Sequence, residues 1–267
     1  MPLNFTVVRP SVFRRLSMAG FDAIPATHTM TALVEVDVTR LRSGLRDGRR
    51  AGKVLDFHAA VIAAVARSLS RFPQFNAMRW GQKVALFDGV DVNLPIETRH
   101  GDEAVVGSLV IRRAERESIS AISREISAYK SQSFERLTQN IPGAGFVGFV
   151  LALPTFLRLF LLRAFASSPR RVRDLFGTTM VTSVAQGTDL PGWATPHTFG
   201  PRAVSFALGS VVIKPRFVAG VVLPRSILHL SVMLNHDLVD GIPASHFLRD
   251  LVHQLEAPMP DEPHESD

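Results

Sequence analysis

Residues Ser231 to Gly241 read S-V-M-L-N-H-D-L-V-D-G and indicate the local fold most clearly. Apolar and polar residues alternate up to this stretch, as in a half-buried strand, and Ile242 to Glu256 then takes up helical spacing. His236 stands at the end of this strand, and Asp240 and Gly241 then lead into the helix. A histidine in this position is well placed to act as a general base. The strand fixes the imidazole, and glycine permits a tight turn with φ > 0. An ordinary surface histidine beside a helix-capping aspartate would give the same short pattern.

Around this motif the chain resembles a known family. H-x-x-x-D-G marks the chloramphenicol acetyltransferase-like superfamily, and the rest resembles its dihydrolipoamide acyltransferase branch, the catalytic domain of 2-oxo-acid dehydrogenase complexes. Three segments carry this likeness: Pro25–Thr39 with V-E-V-D-V-T, Val54–Ala77 with a helix running into F-P-Q-F-N, and Gly177–Ser183 with G-T-T-M-V-T-S. Their order and spacing agree with the family from about Arg14 to Glu256.

The chain also departs from this family. The family usually has Asp before the histidine and Arg after it, whereas this chain has Asn235 and Asp237. The usual S-N-L-G after the oxyanion strand reads S-V-A-Q from Ser183. Neither a lipoyl domain nor a partner-binding domain precedes the match. We therefore expect a stand-alone form that does not deliver its own lipoyl arm, and membership of a dehydrogenase complex stays open.

The resemblance implies transfer of an acyl group between coenzyme A and a thiol, hydroxyl or amine acceptor. A neutral histidine can take the acceptor's proton near pH 7, so His236 is the expected general base. Thr182 matches the family's Ser/Thr hydroxyl that stabilises the oxyanion. Asp240 is expected to hold the turn, with Arg15 as a candidate partner. The family also implies a homotrimer in which His236 and Thr182 face each other across a subunit interface.

Composition narrows the remaining chemistry. The chain has 267 residues, 46% of them hydrophobic, which is enough for one substantial core. It has no cysteine, which excludes a cysteine nucleophile and iron–sulfur or Cys-ligated zinc sites and fits a cytoplasmic location. His246 and His253 are too far apart to chelate one metal ion without outside ligands, so we expect no metal site. We also expect no permanently bound cofactor. Coenzyme A enters only as a substrate.

The net charge is +6, and nearly all the cations are arginines. One group lies between Arg40 and Arg50, in a predicted loop, and another between Arg170 and Arg173. Arginine suits the phosphates of coenzyme A or of anionic lipid, although solvated basic faces explain such runs equally well. Because these runs lack interleaved aromatic residues, nucleic-acid binding is not expected.

The periodicity predicts an α+β sandwich. The resemblance to the chloramphenicol acetyltransferase-like superfamily implies a two-layer arrangement, with a mixed β-sheet and helices on one face. The predicted helices cover 57–71, with Asp56 as N-cap, and 117–129, besides the one after Gly241. The predicted strands cover 31–38, 83–87, 90–95, 104–111, 178–184, 203–213 and 227–234. One catalytic domain over 1–256 is followed by a polar, Pro-rich tail at 257–267, which is expected to be disordered.

Ile141 to Ala166 is a strongly apolar insert where the family has a short loop. It contains G-x-G-x-x-G from Gly143, but no predicted strand precedes it, so a dinucleotide site is rejected. Its uncharged part is short against the ~20 residues that a membrane span needs, and a crossing would separate strands of one domain. We expect a helical hairpin that covers the substrate channel or makes a peripheral membrane contact, with Phe156 and Phe160 beside Arg158 and Arg163. Burial against its own domain or a neighbouring subunit is the alternative.

Two other functional interpretations remain open. Wax-ester synthases and condensation domains share the superfamily but have H-H-x-x-x-D-G, and Asn235 takes the place of their first histidine. A catalytically silent trimeric scaffold, or a homologue that binds a carrier or a membrane, is the interpretation from a different class. The altered residues beside His236 keep the second alternative open.

Overall fold

The computed structural model describes residues 10–23, 27–100, 103–132, 149–184, 191–196 and 201–258. Its helices are α1 (Val12–Ala23), α2 (Thr39–Arg50), α3 (Phe57–Arg71), α4 (Ile119–Lys130), α5 (Thr155–Ala166), α6 (Pro169–Phe176) and α7 (Gly241–Glu256). Its strands are β1 (Thr29–Asp37), β2 (Ala77–Trp80), β3 (Lys83–Leu86), β4 (Val92–His100), β5 (Glu103–Ile111), β6 (Thr179–Ser183), β7 (Val204–Val218) and β8 (Val221–Asn235).

Six strands form one sheet in the order β1-β8-β7-β6-β4-β5. β6 pairs in parallel with both β7 and β4, whereas β1/β8, β7/β8 and β4/β5 are antiparallel. β2 and β3 form a separate hairpin. α3 packs between α4 and α7, and the apolar residues of these helices share one core with alternate residues of the sheet. The predicted mixed sheet with helices on one face is confirmed.

The core centres on α3, which has the bounds that the sequence predicts. Asp56 caps it by accepting a hydrogen bond from the backbone N–H of His58 at 2.7 Å. Partial burial opposes ionisation of Asp56, but the hydrogen bonds from His58 outweigh it and lower its pKa to about 2. At the other end of α3, Phe75 stacks on Phe247 of α7 with ring centroids 4.5 Å apart. This stacking joins the residues that follow α3 to the helix after the H-x-x-x-D-G motif.

The arginine-rich stretch from Arg40 to Arg50 forms helix α2, so the prediction of a loop is wrong. Leu41 and Leu45 are buried one turn apart, and they anchor the helix against the domain. The arginines around them are exposed or half-buried, with Arg42 donating to Ser226 Oγ at 3.2 Å. Two buried leucines among many charges gave too weak a periodic signal for a helix.

β7 and β8 are both longer than predicted and continue into a projecting hairpin. The hairpin turns at Ala219 and Gly220, whose φ values are +49° and +83°. Beyond Ile213 both faces of the strands meet solvent, and Phe217 is 83% exposed. Apolar and polar residues therefore stop alternating there, which is why the predicted strands are shorter than the observed ones.

The described part of the apolar insert is a helical turn at 149–152 followed by α5. α5 packs against α1 and α6, but none of its residues is fully buried. Among the residues that the structure describes, no helix is both long and apolar enough to cross a membrane. Residues 141–148, the G-x-G-x-x-G pattern and most of the predicted disordered tail lie outside the described residues.

Candidate active site

β8 brings His236 to the protein surface. Leu230, Val232 and Leu234 face the shared core, and the strand ends at Asn235. His236 is the first residue of the turn that follows, and 48% of its side chain is exposed. An imidazole that is fixed by a buried strand and open to solvent can accept a proton from an incoming substrate.

Asp240 takes the N-cap position of α7 without making a capping hydrogen bond. Its Oδ1 lies 3.5 Å from His236 Nδ1, and 83% of its side chain is exposed. Within the described ranges no ion pair joins it to Arg15, because Arg15 belongs to α1, which packs against α5. Gly241 begins α7 without a positive φ, so the predicted left-handed turn is wrong.

Contacts from His28, just before β1, and from Arg79 of β2 hold the turn that carries His236. The amide of His236 donates to the carbonyl of His28 at 2.7 Å. The carboxylate of Asp237 accepts from His28 Nδ1 at 2.8 Å and from Arg79 at 3.0 Å. The hydrogen bond from His28 is the main cause that lowers the pKa of Asp237. Because an ionised carboxylate only accepts, Nδ1 of His28 carries the proton.

The sequence pattern around the motif did not indicate this contribution of His28. The available signal was Asp237, an acid where the family usually has Arg, because a carboxylate beside the motif needs a cationic or N–H partner. Its partners are 209 and 158 residues away in sequence, so only the tertiary fold identifies them.

Thr182 lies in β6, as predicted, but far from His236 of the same chain. Val181 points into the core, so half-buried Thr182 points to the opposite face of the sheet. The register places Thr182 beside Ala207 of β7, which pairs with Ser231 of β8. Thr182 is therefore two strand spacings away from Ser231, and His236 lies five residues further along the chain. Together these place Thr182 and His236 roughly 20 Å apart. One chain does not bring this hydroxyl and this imidazole to the same reacting atoms.

The sheet face that carries Thr182 also holds unpartnered polar atoms. Ser231 Oγ and His229 Nε2 are buried without a hydrogen-bond partner. Trp193 covers His229, with ring centroids 4.2 Å apart, and Ser210 Oγ lies 3.1 Å from its Nδ1. Burial is the main cause that lowers the pKa of His229. Within the described residues, no group of three or more metal-ligating side chains occurs.

The sequence matches the family described as 2-oxoacid dehydrogenases acyltransferase (catalytic domain) over residues 3–139, about half of the chain. The chain belongs to this family. The resemblance seen in the motifs is therefore confirmed. Thr182 and His236 lie beyond the matched residues, so their roles depend on the motifs and on the geometry of the site.

Individual members of this acyltransferase family are similar over most of the chain. The succinyltransferase component of an Arabidopsis thaliana 2-oxoglutarate dehydrogenase complex is 25% identical over 86% of this chain and 42% of its own length. Azotobacter vinelandii dihydrolipoamide acetyltransferase is 17% identical with a TM-score of 0.68, covering 96% of both chains. A catalytic core from Thermoplasma acidophilum is 21% identical with a TM-score of 0.67, covering 95% of this chain and 99% of that one.

These solved structures establish that the fold is shared, including the two-layer arrangement expected from the resemblance. The chain spans about half the length of the Arabidopsis protein and of the other family members that it matches in sequence.

Proposed function

We propose that this protein is an acyltransferase that moves an acyl group between coenzyme A and a thiol, hydroxyl or amine acceptor. The observation that carries the proposal is the placement of His236, half-exposed at the end of a buried strand, in a chain of the acyltransferase family. Asn235 and Asp237 depart from the family around it, yet both help to hold the turn. Asn235 and Asp237 are therefore compatible with His236 acting as a general base.

In the proposed reaction His236 removes the proton of the acceptor as the acceptor attacks the thioester carbonyl. The carbonyl oxygen becomes an oxyanion, which the Thr182 hydroxyl stabilises by donating a hydrogen bond. The carbon–sulfur bond then breaks, and the thiol of coenzyme A leaves with the proton held by His236. The acyl group passes directly from donor to acceptor, so no enzyme-bound acyl intermediate is needed. Asp240, whose Oδ1 lies 3.5 Å from His236 Nδ1, orients the imidazole rather than taking part in the chemistry.

The active form proposed here is a homotrimer whose sites combine His236 of one subunit with Thr182 of the next. The separation of roughly 20 Å within one chain supports a shared site, because a hydrogen-bond donor must lie within about 3 Å of the oxyanion. The Azotobacter relative was studied for the catalytic roles of a serine, a histidine and an asparagine. In this chain, Thr182 of the G-T-T-M-V-T-S segment carries a hydroxyl as serine does. His236 and Asp240 of the H-x-x-x-D-G motif provide an imidazole and a side-chain oxygen. A closed ring with threefold symmetry accommodates such a contact.

Turnover of a panel of acyl-CoA donors tests the function directly. Acetyl-, succinyl- and branched-chain acyl-CoA are offered to thiol, alcohol and amine acceptors, and release of the coenzyme A thiol is followed. The thiol of dihydrolipoamide belongs in the panel because several relatives are dihydrolipoyllysine-residue or lipoamide acyltransferases. Release that depends on both an acceptor and His236 supports the proposal. A folded protein that turns over no combination would favour the silent scaffold instead.

We further propose a cytoplasmic location with a peripheral membrane contact through the insert. The absence of cysteine supports a reducing compartment. The exposed apolar side chains of α5 support the membrane contact, since α5 is the described part of the insert and lies on the surface. Fractionation of cells into soluble and membrane pools, with and without a high-salt wash, tests both parts.

A further inference from the structure

α5 exposes one apolar face to solvent. Successive residues turn by about 100° on a helix, so Phe156, Leu157, Phe160, Leu161 and Ala164 lie on one side. All five are exposed, and the two phenylalanines are 75% and 66% exposed. Leu159, Leu162 and Phe165 lie on the other side and are half-buried against the protein. We call the first group the exposed face of α5.

Arginines border this face. Arg163 falls on the same side of the helix as Phe156 and is exposed. Arg170 and Arg171 follow at the start of α6, and both are exposed. The guanidinium of Arg171 lies 5.8 Å from the ring of Phe165, so it stays next to α5, on the half-buried side of the helix. Arg158, which the sequence assigned to the same basic edge, instead turns inward and donates to Leu151 O at 3.3 Å.

The projecting β7–β8 hairpin is equally apolar but differs in charge. Phe217 is even more exposed than the α5 phenylalanines. However, Lys214 and Arg216 of this hairpin both form ion pairs with Glu35. Near α5, by contrast, the carboxylate of Asp174 has only a long contact with Arg170 among the described residues, at 3.9 Å with both side chains exposed. The exposed face of α5 thus combines large apolar side chains with a net positive border.

We infer that the exposed face of α5 docks onto an anionic lipid surface, an inference that rests on the peripheral membrane contact proposed above and specifies its lipid. Twelve residues give a helix of about 18 Å, shorter than the ~30 Å hydrocarbon core, so α5 would lie in the interface plane rather than cross it. Phe and Leu would insert at the level of the acyl chains, and the arginines would meet the phosphates. A symmetric contact between two copies would bring two arginine groups together, which opposes self-association through this face.

Co-sedimentation of the whole protein with vesicles tests the inference. Vesicles of phosphatidylcholine alone are compared with vesicles that also contain phosphatidylglycerol, at low and high salt. We expect binding that requires the anionic lipid and weakens as salt rises. Phe156→Ser/Phe160→Ser should lower partitioning about tenfold or more, because two large apolar side chains no longer insert. Arg163→Gln/Arg171→Gln should lower it about fivefold for each arginine on anionic vesicles.

Phe217→Ser/Val222→Ser is the matched control, since these exposed residues pair across the β7–β8 hairpin. It should bind vesicles as the parent does. The oligomeric state and folding of every variant are measured by size-exclusion chromatography and circular dichroism. Absent binding, or equal loss in the control, would overturn the inference. So would a change of oligomeric state confined to the α5 variant, which would make this face a subunit contact. Acyl transfer is not required for any of these readouts.

Discussion

His28 and Asp237 are joined by a hydrogen bond of 2.8 Å between an imidazole that is 86% exposed and a carboxylate that is 15% exposed. The bond connects the residue just before β1 to the turn just after β8, and this turn begins with His236. The second oxygen of the same carboxylate meets Arg79 at 3.0 Å. The resemblance implies Arg at the position of Asp237, so this chain has an anion where a cation is expected. His28 and Arg79 hold the turn because both donate hydrogen bonds to the negative carboxylate of Asp237.

Asp237→Ala should therefore lower kcat by about 10- to 100-fold while leaving KM for acyl-CoA nearly unchanged. The expected cause is displacement of the turn, since a shift of about 1 Å at a catalytic group can cost 100-fold in rate. Asp237→Asn, which retains an acceptor oxygen for His28, should recover part of the activity. Steady-state kinetics and thermal melting of each variant provide the measurement.

Asp250→Asn is the matched control for this prediction. It breaks another ion pair of similar length, with Arg71 at 2.7 Å, on a different part of α7. It should change kcat less than twofold. If Asp237→Ala and Asp250→Asn lose stability equally and keep the parental kcat, Asp237 stabilises the fold without positioning the base.

His236→Ala should reduce acyl transfer by about 10²- to 10⁴-fold, the usual effect of removing a general base. Folding should be retained, because the side chain is half-exposed beyond the end of the strand. His246→Ala, at an exposed position of α7, is the control and should keep the parental rate. A folded His236→Ala protein with normal kcat would contradict the assignment of the base.

The helix cap at Asp56 leads to a prediction about stability and pH. Asp56→Ala should destabilise the protein by about 1–2 kcal/mol at pH 7, as expected for loss of an N-cap. The folded-state pKa of Asp56 is about 2, below the ordinary 3.8, so its ionisation stabilises the fold fully above about pH 4. This contribution is lost as the pH falls through 2. Urea unfolding of parent and variant at pH 7, 4 and 3 should show a narrowing difference. Asp47→Ala, at an exposed site in α2, should show almost none.

Local signals in the sequence predict some elements well and others poorly. The bounds of α3 could be predicted correctly because the signals for its start and its end lie in one segment. Asp56 marks the N-cap, a continuous apolar stretch follows, and Pro73 stops the helix. α2 has only Leu41 and Leu45 as buried anchors, and its arginines obscured the period. The position of His236 after β8 followed from alternation along one strand. Its contacts with β1 and β2 depend on pairing between distant segments, and no local pattern specifies that pairing.

The shared-site proposal predicts complementation between two inactive variants. His236→Ala and Thr182→Ala chains are unfolded together, refolded and assayed as mixed assemblies. If the site combines His236 of one subunit with Thr182 of the next, a mixed trimer contains at least one interface where both residues are intact. Activity should then exceed that of either variant refolded alone, and it should depend on the mixing ratio. Differently tagged chains verify by pull-down that mixed assemblies form. The shared-site proposal fails if mixed assemblies form without regaining activity, or if the parent protein is an active monomer.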